Sequence, residues 1–357
     1  MPIITNIKNI TFVHNIGRRY ETSFFTYIFR SNYCRIIFTV MKLLFKSFLL
    51  LTIFHYIVSV PGSYSQEKTK GQISISGAFA LYPMVVKWAD EYKKINPGVR
   101  FDISAGGAGK GISDALNAMV EIGMVSREIY PEELKNGAFP IAVTKDAVVA
   151  VVSDLNPSLN DIMTIGLKKD AGNNIWITGR YTTWAQAFGA KSASPIHIYT
   201  RSDACGAAEM WAKFYGKKQE DLLGVGVFGD PGLAQAIKRD PLGIGYNNIG
   251  YVYDATTRKQ IKGLKVVPLD LNNNGKIDND EYFYDSMNDL IAAIASGKYP
   301  SPPARELYFV MKGSPKNNKV LTGFIRWVLS DGQKFVNEAG YISLPREKIE
   351  SELKKLQ

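Results

Sequence analysis

The stretch Arg201–Phe214, RSDACGAAEMWAKF, follows the run IHIYT and sets an arginine and an aspartate before four small residues, then turns helical. Ala207, Met210, Trp211 and Phe214 recur at i, i+3, i+4 and i+7, so the segment reads as strand, glycine-containing turn and helix. The first N–H groups of a helix have no intrahelical partner, and the aligned peptide dipoles place partial positive charge there. Small residues let a phosphate-sized anion reach those groups, and Arg201 adds a charged, forked donor beside them. The alternative is a tight turn with a structural Arg201–Asp203 ion pair. The two are compatible, because an aspartate can orient an arginine.

The same unit occurs twice more. GQISISG alternates with period two and runs into Val85, Trp88, Ala89 and Tyr92 on one helical face, with Pro83 suited to the first turn. VRFDISAGGAGKG precedes Ile112, Ala115, Leu116 and Met119 at the same spacing. Strands alternating with helices predict an α/β fold of mainly parallel sheets flanked by helices. AFPIAVTKDAVVAVV, centred near Thr144, and KYPSPPARELYFVMKG, with a strand near Tyr308, read as crossings between two lobes. A chain that crosses out and back builds lobe 1 from residues 71–143 and 305–357, and lobe 2 from residues 144–304. The C-terminal segment shows apolar faces at Val320, Phe324, Trp327 and Val328 and at Ile349, Leu353 and Leu356, while the polar face of REKIESELKKLQ reads as solvated.

A chain of 357 residues, 46% hydrophobic and 21% charged, suits a two-domain or bilobal globular protein. The net charge of +10 is concentrated at the start: seven of the 43 basic residues but one of the 33 acidic ones fall in residues 1–65, leaving 36 against 32 beyond. No Lys/Arg stripe interleaved with aromatics follows, which argues against nucleic acid as a partner. Residues 1–65 read as an upstream extension plus a signal peptide starting at Met41. Lys42 and Lys46 form the basic region, Ser47–Val60 the apolar region, and Ser63-Tyr64-Ser65 the cleavage triplet. This predicts an exported, periplasmic protein; an uncleaved signal-anchor is the alternative, although an apolar run of about 14 residues is short for a span. The two cysteines, Cys34 and Cys205, leave the processed chain no internal disulfide, and only His197 of three histidines survives. His-based triads and multi-His zinc sites are thereby excluded.

SGAFALYPMVVKWADEY, SAGGAGKGISDAL, IGMVSREI, TRSDACGAAEMW and DPGLAQAIKRDPLGIGYNNIGYV resemble, in order, the successive blocks of the phosphate-binding proteins of bacterial ABC phosphate importers, within the type II periplasmic binding proteins. The resemblance spans about residues 71–345. It implies two α/β lobes joined by a hinge and closing over a dehydrated tetrahedral oxyanion, phosphate foremost. It also implies a membrane ABC permease as partner, a monomer, and no catalysis. Carried onto this chain, it places donors at Leu81 and Tyr82, at Ala108 and Gly109, and at Cys205, Gly206 and Ala207, beside Arg201 and Asp203. The family usually has hydroxyl residues where this chain has Leu81, Ala108, Cys205 and Ala207, so only backbone donors survive there. Ser126, followed by Arg127, stands where some members place an aspartate that accepts the proton of hydrogen phosphate. A serine can donate to a fully ionised oxyanion that a carboxylate would repel. Neutral hydrogen bonds are worth roughly 0.5–1.5 kcal/mol net, so four lost hydroxyls weaken the site or change its ligand unless Arg127 or another group compensates.

Two further features stand apart. Cys205, at a helix start beside an arginine, has two reasons for a depressed pKa, which raises a thiol-dependent enzyme as an alternative function; it is also a near-isostere of the family's serine. DLNNNGKIDNDE, Asp270–Glu281, fits the calcium loop D-x-[DN]-x-[DN]-G-x5-E without a mismatch. Its oxygen ligands would be Asp270, Asn272, Asn274, the Lys276 carbonyl, Asp278 and Glu281, with Gly275 at the sharp turn and Ile277 anchoring the loop. The preceding LKVVPLD reads as a strand, so the loop would hold a structural Ca2+ and not transmit a signal. A polar turn is its alternative, and a calcium-stabilised protein without transport is the third function considered. Met287, Leu290, Ile291 and Ile294 then form one more amphipathic helix.

Overall fold

The computed structural model describes residues 39–42 and 70–357. The apolar region and cleavage triplet of the expected signal peptide lie outside the described residues. The described residues from Lys70 onward form one compact unit.

Lobe 1 begins with β1 (Gly71–Gly77), α1 (Tyr82–Ile95), β2 (Val99–Ala105), α2 (Ala108–Leu116), β3 (Ile122–Val125) and the short α3 (Pro131–Lys135). Ile73 and Ile75 alternate into the core from β1, and Met84, Val85, Trp88, Ala89 and Tyr92 line the buried face of α1. Met119, expected on the buried face of α2, lies beyond that helix and is exposed. The helix stops at Leu116, so the periodic spacing ran one turn past its true end.

β4 (Ala138–Ser153) is one strand of 16 residues, long enough, at about 3.3 Å per residue, to serve both lobes. Its first part pairs with the returning strand and its second part with strands of lobe 2. Lobe 2 continues through α4 (Leu159–Ile165), β5 (Leu167–Lys168), α5 (Lys169–Trp176), α6 (Trp184–Phe188), β6 (His197–Arg201), α7 (Gly206–Phe214), β7 (Val225–Val227), α8 (Gly229–Arg239), β8 (Gly243–Asn248), β9 (Leu264–Val266), β10 (Leu269–Asp270) and α9 (Met287–Ala295). The chain returns along β11 (Ala304–Lys312) and ends with α10 (Lys319–Val328) and α11 (Arg346–Lys355).

The strand order is β2-β1-β3-β11-β4-β8-β6-β7, with β9 also on β4, and β10 paired with β5 apart. Within each lobe the βα units are parallel, β1 with β2 and β3, and β6 with β7 and β8. The two crossing strands are antiparallel to each other and to their neighbours β3 and β8. The sheet is therefore mixed where a mainly parallel one was expected, because a chain that crosses out and back must run in both directions through the junction.

Two cores result. One draws on residues from Ile73 to Val143 and from Leu307 to Leu356; the other spans Ala147 to Ala304 with Ile342 added. Trp88, Phe309 and Phe324 pack edge-on and stacked in the first, and Trp176, Trp211 and Tyr246 in the second. Ile342 ties the lobes a third time by exchanging backbone hydrogen bonds with Lys145. One expectation fails in α11: Glu352, on the face taken as solvated, is buried between Lys348 at 3.4 Å and Lys355 at 2.7 Å. The aliphatic stems of those lysines cover it.

Trp88 is fully buried and donates its indole N–H to the Gly332 carbonyl at 2.8 Å. Trp88→Ala should cost about 3–5 kcal/mol of unfolding free energy, seen as a lower urea midpoint at unchanged slope.

Candidate functional site

β6 delivers Arg201 to the junction of the lobes, and Tyr246 on β8 fixes that end of the strand. Its phenol oxygen accepts the Arg201 N–H at 3.3 Å and pairs with the Thr200 hydroxyl at 2.7 Å. The Arg201 side chain has no exposed surface. Its Nε and Nη2 donate to the two oxygens of Asp203 at 2.8 and 2.6 Å, and Nη1 donates to Asp230, in the first turn of α8, at 2.6 Å. A guanidinium has five donors, so two N–H bonds remain. Burial alone would favour loss of its proton, but Asp230 and Asp203 outweigh that and hold the group protonated well above its ordinary range.

The turn between Arg201 and α7 is clamped by Gln219, whose amide accepts the Cys205 N–H at 3.1 Å and donates to the Asp203 carbonyl at 2.7 Å. Asp203 also accepts the Gly229 N–H at 3.1 Å. Across the junction, the Gly109 N–H at the start of α2 donates to the Ala204 carbonyl at 3.0 Å. This approach depends on two glycines. Gly107 has φ +90°, and a Cβ there would stand 2.8 Å from the Asp203 carboxylate; a Cβ on Gly206 would stand 2.1 Å from the Ser126 carbonyl. No side chain fits either place.

The starts of α2 and α7 thus meet, and the turn before α1 joins them through Phe79. Its ring lies edge-on to Phe228 at 5.8 Å and under the Arg201 guanidinium at 5.6 Å, and its carbonyl accepts the Tyr251 hydroxyl at 2.9 Å. The expected donors divide into two groups. The N–H groups of Leu81 and Tyr82 close a turn onto Ala78 and Phe79, Gly109 is taken by Ala204, and Cys205 by Gln219. Those of Ala108, Gly206 and Ala207 have no acceptor among the described residues, and neither have those of Phe79 and Ala80. At α1 the open donors therefore sit two residues earlier than the sequence reading placed them, because the chain makes a tight turn before its first helical residue.

Ser126, at the end of β3, is buried against Gly206. Arg127 does not compensate for the missing hydroxyls. It is held by Glu133 at 2.7 and 3.0 Å, donates to the Glu128 carbonyl and stacks on Tyr130 at 4.0 Å. Arg305 of β11 comes instead, donating Nε to the Ser126 carbonyl at 3.2 Å. Sequence reasoning missed Arg305, Asp230, Asn247, Asn248 and Asp146. Asp230 and the two asparagines lie in a block that carries the resemblance, and Asp146 and Arg305 in the two crossing segments, but no spacing links any of them to Arg201.

Cys205 caps α7 as a serine would, accepting the Ala208 N–H at 3.4 Å. Its thiol is pushed up to about 12 by burial, against the pull of Arg201. The depressed pKa expected from its position is therefore reversed, because desolvation of a thiolate outweighs one paired arginine.

The loop Asp270–Glu281 follows β10, not a helix. The Asp270 carboxylate accepts the N–H groups of Asn274 and Gly275, and the Glu281 carboxylate those of Leu271, Asn272 and Asp278. The side-chain amides of Asn272 and Asn274 donate to Asp278, which Lys276 also pairs at 2.8 Å. Ile277 packs on Gly166 and donates its N–H to Thr164, pinning the loop to lobe 2. Among the described residues, no three His, Cys, Asp or Glu side chains are grouped as they would be around a metal ion.

Against known proteins, residues 62–332 match the family model described as PBP superfamily domain. The chain belongs to the PBP superfamily. Among PBP relatives, it is 24% identical over 280 residues to Protein SphX of Synechococcus elongatus, covering 76% of this chain and 77% of that one. It is 26% identical over 333 residues to the Phosphate-binding protein PstS of Pseudomonas aeruginosa, covering 84% and 91%. Among solved structures, an ABC-type phosphate transport receptor from Vibrio cholerae superposes with a TM-score of 0.56 at 20% identity, over 76% of this chain and all of that one. The α/β architecture with a mixed sheet and flanking helices is that of the type II PBP fold. No helix among the described residues is long and apolar enough to cross a membrane.

With a pKa of about 12 against about 8.5 for a free thiol, Cys205 should react with iodoacetamide at mild alkaline pH roughly three orders of magnitude more slowly than free cysteine. Mass spectrometry of the labelled protein measures it.

Proposed function

We propose that this chain is an exported solute-binding protein that captures phosphate, or a similar tetrahedral oxyanion, and presents it to a membrane ABC permease. The observation that carries the reading is the meeting of the α2 and α7 starts, with unpaired N–H groups at Ala108, Gly206 and Ala207, beside a buried arginine that keeps two donors free. Aligned helix starts and a protonated guanidinium in a dehydrated space favour a small anion over any neutral or cationic ligand. The names of the PstS relative and of the Vibrio cholerae receptor support phosphate as the ion. Binding would draw the lobes together, because donors from both sides reach one ion only when the helix starts meet. The protein would act as a monomer and without catalysis. A buried, protonated thiol capping a helix argues against the thiol-enzyme alternative.

Calorimetry with phosphate, arsenate, sulfate and molybdate tests this directly. Phosphate should bind, and sulfate should compete, since Ser126 offers no carboxylate to repel a fully ionised ion. Arg201→Lys, which keeps the charge but not the fork, should weaken phosphate binding by about 1.5–3 kcal/mol. A wild-type protein giving no heat with any of the four ions would refute the reading.

We propose separately that Asp270–Glu281 binds a structural Ca2+ through the carboxylates of Asp270, Asp278 and Glu281, the side-chain oxygens of Asn272 and Asn274, and the Lys276 carbonyl. The complete match to the loop pattern and the burial of Asp270 and Glu281 support it. Binding requires the amide oxygens of Asn272 and Asn274, which now accept the N–H groups of Asn274 and Lys276, to turn to the ion, and their NH2 groups to leave Asp278. Millimolar calcium should raise the melting temperature of the wild-type protein and leave that of Glu281→Gln unmoved; equal response of both would refute it.

A further inference from the structure

A line of buried polar groups leads from Arg201 to the strands that join the lobes. Arg201 Nη1 donates to one oxygen of Asp230, and the other oxygen accepts the side-chain amide of Asn248. The amide oxygen of Asn248 accepts Nη2 of Arg305. Arg305 stands on β11, donates Nε to the Ser126 carbonyl at 3.2 Å, and faces Asp146 of β4 at 3.6 Å. Its Nη1 is buried without a hydrogen-bond partner. Asn247 adds a bond to the Asp230 carbonyl at 2.9 Å, so α8 is held to β8 by both main chain and side chain. Every charged member is buried: Arg201, Asp230, Arg305 and Asp146.

Resting on the oxyanion reading above, we propose that Arg305 is a positioning residue for that site, acting through Asn248 and Asp230 to fix Arg201, with Asp146 as the carboxylate that takes a proton from solvent when an anion enters. The charges decide the second part. With Asp203 included, two guanidinium groups face three carboxylates, so the cluster carries one excess negative charge while all five are ionised. An incoming anion adds to that excess. Asp146 is where it can be relieved: Arg201 engages both Asp203 and Asp230 within 2.6 Å, whereas Asp146 has the loosest ion pair of the three. The groups facing Asp146 are Arg305 from β11, Asp230 from α8, the phenols of Tyr251 and Tyr341, and the Ala147 N–H, which donates to it at 2.7 Å. Burial already pushes its carboxyl up to about 6, against the pull of Arg305. A nearby anion raises it further, so proton uptake on binding appears at and just above that pH.

Calorimetric titration of phosphate into wild type, Arg305→Lys, Asp230→Asn and the double variant tests the relay. Arg305→Lys keeps a cation opposite Asp146 and should melt, without phosphate, close to wild type while binding phosphate about tenfold more weakly. In the Asp230→Asn background the same change should alter the Kd by less than about twofold, because the relay is already cut. Additive losses, or an Arg305→Lys affinity equal to wild type, overturn the inference. Asn248→Ala carries the same cycle should Arg305→Lys not fold. Repeating the titrations near pH 6 in buffers of different ionisation enthalpy reads the proton: wild type should take up more protons per phosphate than Asp146→Asn, and equal uptake removes Asp146 from the mechanism. A wild-type protein that binds no oxyanion overturns the functional reading and this inference together; binding that the variants leave unchanged overturns the inference alone.

Discussion

A guanidinium with no solvent exposure has to be neutralised within the protein, and the rest of the site follows from how Arg201 achieves this. Taking a charge out of water costs several kcal/mol, and the loss is offset only by close, correctly oriented partners. Asp203 and Asp230 supply those partners from two different elements, the turn before α7 and the first turn of α8. Each is held in turn, Asp203 by the Gly229 N–H and Asp230 by Asn248. Because the Asp203 carboxylate lies against Gly107 at the start of α2, this ion cluster sits on the junction and sets how closely the lobes approach.

The architecture separates what must be rigid from what must give. Each lobe has its own packed core, so neither relies on the other for the burial of its aromatic residues. They share β4, β11 and the Ile342 tie, and a long shared pair can bend where a register shift between Leu307 and Tyr308 already breaks its ladder. Other contacts across the junction are largely polar or edge-on, among them Gly109 with Ala204, Lys213 with Glu128 at 2.7 Å, Arg305 with Asn248, Tyr251 with Phe79, and the two phenylalanines. Contacts of this kind open at modest cost, as a protein that admits and releases a ligand requires.

The polar groups around the converging helix starts differ from those the resemblance implies. Where the resembled family has hydroxyls, this chain has buried apolar residues that serve the cores, as Leu81 and Ala108 do, or a thiol that caps a helix, as Cys205 does. Arg127, the nearest cation in sequence to Ser126, is spent on Glu133 and Tyr130, while Arg305 arrives from 179 positions away. The balance of charge at an ion site is a property of the folded ensemble of side chains, and local sequence carries only part of it.

The three βα units, the two crossings and the small residues at the helix starts could all be read from period and composition, since each depends on residues close in the chain. Val85, Trp88 and Tyr92 point into a core because 3.6-residue spacing puts them on one face, whatever the fold. The Arg201–Asp203 pair, two residues apart, was visible for the same reason. Beyond that reach the sequence was silent or misleading. The turn takes up the N–H groups of Leu81 and Tyr82 that the sequence marks as donors, burial reverses the shift that position implies for the Cys205 thiol, and two lysines close over Glu352 on a face whose pattern is polar. Asp230, Asn248, Arg305 and Asp146 come from three strands and a helix, and only the sheet order brings them together. Sequence alone determines which segments can form strands, helices and bare helix starts, because those are short-range steric and hydrogen-bonding choices. Tertiary structure decides which charges end up desolvated side by side, because desolvation is set by everything that packs around them.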